Sequence, residues 1–283
     1  MTIKIVTDST CDLPADVVRK LDITVMPLYI NIGDKGYLDG VDITRSEFYN
    51  NLPNYEHHPT TATPSIDAFK EKFKALADAG AEQILSIHIS ESLSATVNVA
   101  RKAAEEFTRI PVTVRDSQQL SMGTGFQVEI AAQMARDGKS MANIQAALDD
   151  VMPRTFVTAG LDTLEYLKRS GRMNVFLAGI GSLLQLKPIL TMVRGVPGSE
   201  KVRTTQKAFN RIVDMFKKNL PIERFALVHT NAAEKAEEFK RVIKDYLPKG
   251  IKVFSMDITP VLGAHLGPGA VGFAIISEKE IVI

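Results

Sequence analysis

Four runs in the first part of the chain, Ile3–Thr7, Ile23–Ile30, Glu82–Ile89 and Pro111–Val114, are rich in β-branched and other apolar residues and read as strands. Asp67–Asp78, Ser94–Phe107 and Phe126–Ala135 instead carry apolar residues at helical spacing. Strands alternating with helices predict βαβ units and a mostly parallel sheet.

Past Pro153 the pattern changes. A strand at Arg154–Thr158 precedes a helix near Leu161–Lys168, a Gly-rich segment and a strand at Leu186–Val193. Then come a helix (Thr204–Lys217), a strand (Phe225–His229), a helix (Ala232–Tyr246), a strand (Lys252–Asp257) and two terminal strands, Val271–Ile276 and Glu280–Ile283. The expectation is an α/β protein of two domains: an N-terminal parallel-sheet α/β domain over 1–152 and a C-terminal α+β domain over 153–283.

With 34 basic and 33 acidic residues the net charge is +1, so no global field steers the chain to nucleic acid or an anionic membrane. Cys11 is the single cysteine, which rules out an intrachain disulfide and zinc sites built on several thiolates. Met1–Val6 runs straight into polar Thr7-Asp8-Ser9, and no apolar run approaches the roughly 20 residues of a membrane span. A cytoplasmic protein without stable membrane insertion is expected.

Hydroxyl residues gather where the first-half strands end: Thr7-Asp8-Ser9-Thr10, Ser90-Glu91-Ser92-Leu93-Ser94, and Asp116-Ser117 with Ser121 to Gly125; Thr60 to Ser65 forms another such run. In a parallel sheet such loops share one edge, where ligands bind. Each is also a plausible helix N-cap, and capping is compatible with holding an oxyanion. A site of hydroxyls with few cations suits one carboxylate better than a polyphosphate. Catalytic templates fit poorly. Ser94 lacks a nucleophile elbow, no Walker run exists, and Gly123-Thr124-Gly125 and Gly179-Ile180-Gly181 each lack the third glycine of a dinucleotide loop. His57-His58 reads as a surface pair, His88 as a core histidine, and His229 is ambiguous. His265, among the glycines of Val261-Leu262-Gly263-Ala264-His265-Leu266-Gly267-Pro268-Gly269-Ala270, has no partner set for a metal and no nucleophile to serve as base.

Five stretches in order resemble the DegV family: Asp8-Ser9-Thr10-Cys11-Asp12-Leu13-Pro14, Thr61-Ala62-Thr63-Pro64-Ser65, Leu93-Ser94-Ala95-Thr96, Leu164 to Arg172, and Gly263 to Gly269. That resemblance implies a long-chain fatty acid held between two domains, its carboxylate bound by Thr61, Ser94 and His265. It further implies a carrier that has no phosphotransferase centre or cofactor of its own. Such a carrier presents the acid to a separate ATP-binding kinase subunit, which makes acyl phosphate for phospholipid synthesis. Family analogy places Arg172, and more weakly Arg203, where the partner docks. Ala62, Thr63, Ala95 and Val97 depart from the commoner family motifs and bear on pocket geometry and chain preference.

An acyl chain of about 15 methylenes gains roughly 12 kcal/mol on full burial, at about 0.8 kcal/mol each, much of it offset by ordering and association. An apolar tunnel therefore supplies affinity. Ile180, Leu183, Leu184, Leu186, Ile189, Leu190, Met192 and Phe273 are expected to line it. A lipid transport or sensing module without a kinase, and a stand-alone enzyme on a small substrate, are the competing readings.

Overall fold

The computed structural model describes residues 2–177 and 186–283. Its strands in chain order are β1 (Ile3–Asp8), β2 (Thr24–Met26), β3 (Tyr29–Ile32), β4 (Lys35–Leu38), β5 (Thr60–Ala62), β6 (Gln83–His88), β7 (Val112–Asp116), β8 (Thr155–Gly160), β9 (Lys187–Val193), β10 (Val196–Val202), β11 (Ile222–His229), β12 (Val253–Asp257) and β13 (Val271–Ser277). They build three sheets: a parallel four-stranded sheet ordered β2-β1-β6-β7, an antiparallel three-stranded sheet ordered β4-β3-β5, and a six-stranded sheet ordered β10-β9-β8-β13-β11-β12. In the last, only β11 and β12 run parallel. The architecture is α/β with a further α+β layer.

Period-two alternation explains how the parallel sheet is covered on both faces. Val6 and Ile84 point to one side and pack with Phe69, Phe73, Ala100 and Ala103 of the helices Ile66–Asp78 and Thr96–Glu106. Ile5, Leu85 and Ile87 point to the other side, against Phe126 of the helix Ser121–Arg136. That helix also touches β8, β11 and β13, so it lies between the parallel and the six-stranded sheets. A Cβ on its Gly125 would collide with the Cys11 carbonyl, so only glycine lets the helix come this close to the turn after β1. The far face of the six-stranded sheet packs Phe156, Phe225 and Phe273 against Phe216 and Phe239 of the helices Thr205–Lys218 and Ala233–Ile243.

Two expectations are corrected, and a helix appears where the sequence assigned no element. Ile23–Ile30 breaks at Pro27, which has no N–H for a ladder: β2 joins the parallel sheet, while β3 pairs with β4 and β5. Glu280–Ile283 is not a strand; Asn219 takes its backbone instead, accepting from Val282 N at 2.9 Å and donating to Val282 O at 3.0 Å. The Gly-rich stretch around His265 contains a helix, Pro260–Leu266. Its Gly263 packs on Tyr49, where any Cβ would strike the phenol ring. Val261 and Ala264 of this helix share a core with Leu28, Ile30, Phe48 and Tyr49, which ties the three-stranded sheet to the C-terminal part of the chain. No helix among the described residues is long and apolar enough to cross a membrane.

Candidate functional site

Three distant segments deliver Thr61, Ser94 and His265 to one place. Thr61 is the middle residue of β5, in register with Ile30 of β3. Ser94 lies in the loop after β6, whose backbone is held by Ile89 N donating to Asp8 Oδ2 at 3.0 Å and Ser90 N donating to Gln119 O at 2.8 Å. His265 stands in the last turn of Pro260–Leu266. All three line a cavity of about 150 Å³ together with Thr10, Thr63 and Arg172. Thr61 Oγ1 is 3.1 Å from His265 Nε2, and Ser94 Oγ is 2.9 Å from Thr96 Oγ1.

His265 Nδ1 is buried and meets no partner among the described residues. Burial first, then the Arg172 guanidinium and His58, push its pKa down to about 3, so the imidazole is neutral in this state. Arg172 itself donates to Ser170 O at 3.0 Å while lining the cavity. Arg203 is exposed between β10 and the helix Thr205–Lys218 and is absent from the cavity wall.

Leu120, Phe176, Leu262 and Leu266 belong to this cavity and also to a second, of about 40 Å³, that continues beyond them past Val157, Ala159, Leu190, Met192, Val228 and Ile258. Of the residues expected on a tunnel wall, Leu190 and Met192 are there. Ile189 and Phe273 are buried on the other face of the six-stranded sheet, because neighbours along a strand point to opposite sides. Leu186 is not on the wall, and Ile180, Leu183 and Leu184 lie outside the described residues. Sequence reading passed over Leu120, Phe176, Leu262 and Leu266. Leu262 and Leu266 carried a usable signal in their spacing of four around His265, legible only once that stretch is known to be helical.

The remaining histidines separate cleanly. His88 is fully buried, with Nδ1 2.9 Å from Asp8 Oδ2 and Nε2 2.7 Å from Ser86 Oγ. This Ser–His–Asp chain sits in the core and lines neither cavity, although Asp8 accepts from Thr10 and Ile89, which line the first. His57 is exposed, but His58 is half-buried against Tyr166 with ring centroids 5.7 Å apart, which corrects its reading as a surface residue. His229 pairs with Asp257 at 2.8 Å and lines the second cavity. Among the described residues no three His, Cys, Asp or Glu side chains form a metal-holding group.

The family model described as "Uncharacterised protein, DegV family" matches residues 2–278. The chain belongs to the DegV family. A Thermus thermophilus structure, described as fatty acid binding of a DegV family protein, is 34% identical and superposes with a TM-score of 0.88, covering 98% of this chain and 100% of that one. DegV from Bacillus subtilis, described as a fatty acid binding protein, is 29% identical with a TM-score of 0.90 over 98% and 100% of the two chains. A stearic acid-binding protein from Eubacterium ventriosum is 26% identical with a TM-score of 0.86, over 98% of each chain.

Proposed function

We propose that this DegV family protein binds a long-chain fatty acid, with the carboxylate at Thr61, Ser94 and His265 and the acyl chain running past Phe176 into the second cavity. The observation that carries this reading is the union of three sequence-distant polar side chains around a cavity that shares Leu120, Phe176, Leu262 and Leu266 with an apolar one. The description of three structural relatives as fatty acid binders supports it. The chemistry agrees. A desolvated carboxylate needs donors, and two hydroxyls and an imidazole N–H supply three. His265 Nδ1, orphaned in its burial, gains a partner on rearranging toward the ligand, and a nearby carboxylate raises its proton affinity. The second cavity is narrow, so Phe176 and its neighbours must yield as the chain enters.

The fatty acid then lies between the N-terminal domain over 1–152 and the C-terminal domain over 153–283. The protein acts as a carrier subunit that presents the carboxylate to a separate ATP-dependent kinase subunit, which phosphorylates it. Arg172 at the cavity wall and exposed Arg203 face that partner. The chain supplies no nucleotide loop, in keeping with a carrier rather than a stand-alone enzyme.

The test is direct. The purified protein is denatured, extracted, and its lipid measured by mass spectrometry, and stearic acid is titrated into delipidated protein. A long-chain acid at near one per chain, lost in Ser94→Ala and His265→Ala, is expected. No acid in the extract together with no binding on titration would overturn the reading. Acyl phosphate formed only when cell extract and ATP are added would establish the partner.

A further inference from the structure

The motif Asp8 to Pro14 has no role in the fatty-acid contacts described above, except that Thr10 lines the cavity. Its second carboxylate, Asp12, is nevertheless among the most heavily engaged side chains in the protein. It is 1% exposed and sits at φ +57°, ψ +16°, just past the turn that follows β1. Oδ1 accepts from the backbone N–H of Thr259 at 2.7 Å and faces Arg45 Nη2 at 3.1 Å. Oδ2 accepts from Ser121 Oγ at 2.6 Å.

Thr259 is the residue that caps Pro260–Leu266, and its own side chain does not cap that helix. Its hydroxyl instead donates to the buried Asp39 carboxylate. The two residues before it are held as well: Arg45 Nη1 donates to Asp257 O, and Tyr49 Oη donates to Ile258 O at 3.1 Å. Backbone 257–259 is therefore clamped from β1's turn, from the loop after β4 and from the helix Arg45–Asn51. His265 is six residues further along the same short helix, about 9 Å away at 1.5 Å per residue. Pro260 to Ala264 are buried, Val261 and Ala264 in the core with Leu28, Ile30, Phe48 and Tyr49, so packing holds the body of the helix while the joint at its start sets how it enters that core and thus where the imidazole stands.

We propose that Asp12 is a positioning residue for His265: by anchoring the first turn of Pro260–Leu266 it sets the distance between His265 and Thr61 and hence the strength of carboxylate binding. The inference rests on the fatty-acid reading, and Asp12 touches no part of the cavity itself. Loss of its carboxylate loosens the first turn of the helix, and the loss is felt mainly through the imidazole, with Leu262 and Leu266 of the same helix carrying a smaller part through the apolar wall.

Asp12→Gly is the variant of choice, because glycine adopts the left-handed backbone without strain and removes the side chain alone. Stearic acid affinity is measured in wild type, Asp12→Gly, His265→Ala and the double variant. The expected result is a loss of tenfold or more in Asp12→Gly, and a further loss of no more than about threefold when it is added to His265→Ala, the remainder coming from Leu262 and Leu266. Asp12→Asn, which keeps an acceptor for Thr259 N–H and tolerates the same backbone, is expected to restore most of the affinity. Equal losses in both backgrounds, or no loss in the single variant, would overturn the proposal. Should Asp12→Gly not fold, Arg45→Gln loosens the same joint from its half-exposed side, with an expected loss of threefold or more that is markedly smaller in the His265→Ala background; an unchanged affinity there, or an equal loss in both backgrounds, counts against the proposal. The His265 ring resonances, assigned by difference from His265→Ala, give a readout without ligand. They shift in Asp12→Gly if the proposal holds and stay in place if it does not, even were wild type to bind no fatty acid.

Discussion

Thr61 Oγ1 and His265 Nε2 stand 3.1 Å apart although 204 residues separate them in the chain. The contact joins a strand of the small antiparallel sheet to a helix that follows the six-stranded sheet's edge strand β12, so it closes only when both halves of the chain have folded. It also fixes the histidine's environment, with consequences for pH.

His265 is held neutral because burial and Arg172 disfavour its cation, with a pKa of about 3 against an ordinary 6.5. The unfolded chain then binds a proton below pH 6.5 that the folded chain refuses, so stability contributed by the neutral ring is full above 6.5 and falls as pH drops toward 3. Asp12 works in the opposite sense. Burial raises its carboxyl to about 6 against 3.8, outweighing Arg45 and Ser121, so the folded state holds a proton between 3.8 and 6 that the unfolded state has released. Replacing His265 by phenylalanine should remove the first dependence and leave the second. Thermal midpoints of the ligand-free proteins between pH 4 and 7 check this: the variant gains on wild type as pH falls.

Gly263 predicts a different kind of failure. Alanine there places a methyl against the Tyr49 ring, and overpacking of this kind typically costs about 1–3 kcal/mol. Because Tyr49 is fixed by its hydrogen bond to Ile258 O, the helix rather than the ring should give way. Gly263→Ala is expected to lower the denaturation midpoint and weaken stearic acid binding together. Urea melts and ligand titration on one preparation measure both.

The contrast between Gly263 and the first-half strands shows what the sequence made legible. Ile5/Val6 and Ile84/Leu85 declare a strand buried on both faces by apolar residues at consecutive positions, and the hydroxyls after β6 declare a ligand edge. The helix carrying His265 could not be read this way. Gly263, Gly267 and Pro268 argue against a helix by propensity, and only tertiary packing against Tyr49 explains a glycine inside one. The small sheet was hidden for a similar reason, since β3, β4 and β5 are only three or four residues each. Thr61, Ser94 and His265 were nameable only by resemblance; no spacing places residues from three segments around one cavity.

The buried chain Ser86–His88–Asp8 is expected to be structural. Removing the Asp8 carboxylate strands His88 Nδ1, Ile89 N and Thr10 in the core, and breaking a buried pair typically costs about 3–5 kcal/mol. Asp8→Ala should therefore lose stability on that scale in urea melts. Ser86→Ala should not change stearic acid affinity, and esterase activity toward a chromogenic ester that depends on Ser86 would contradict a structural role.

Chain-length preference should be set on β8. Ala159 lines the second cavity beyond Phe176, Leu262 and Leu266, which belong to both, so a larger side chain there shortens the space available to the end of the acyl chain. Ala159→Leu that excludes roughly four methylenes forfeits about 3 kcal/mol for a long acid, at about 0.8 kcal/mol each, and nothing for an acid short enough to stop before residue 159. The headgroup contacts at Thr61, Ser94 and His265 are untouched. Titration with saturated acids of increasing length should therefore show affinity rising in parallel for wild type and variant, then flattening earlier in the variant. Parallel rise through the longest acid would place the chain end elsewhere.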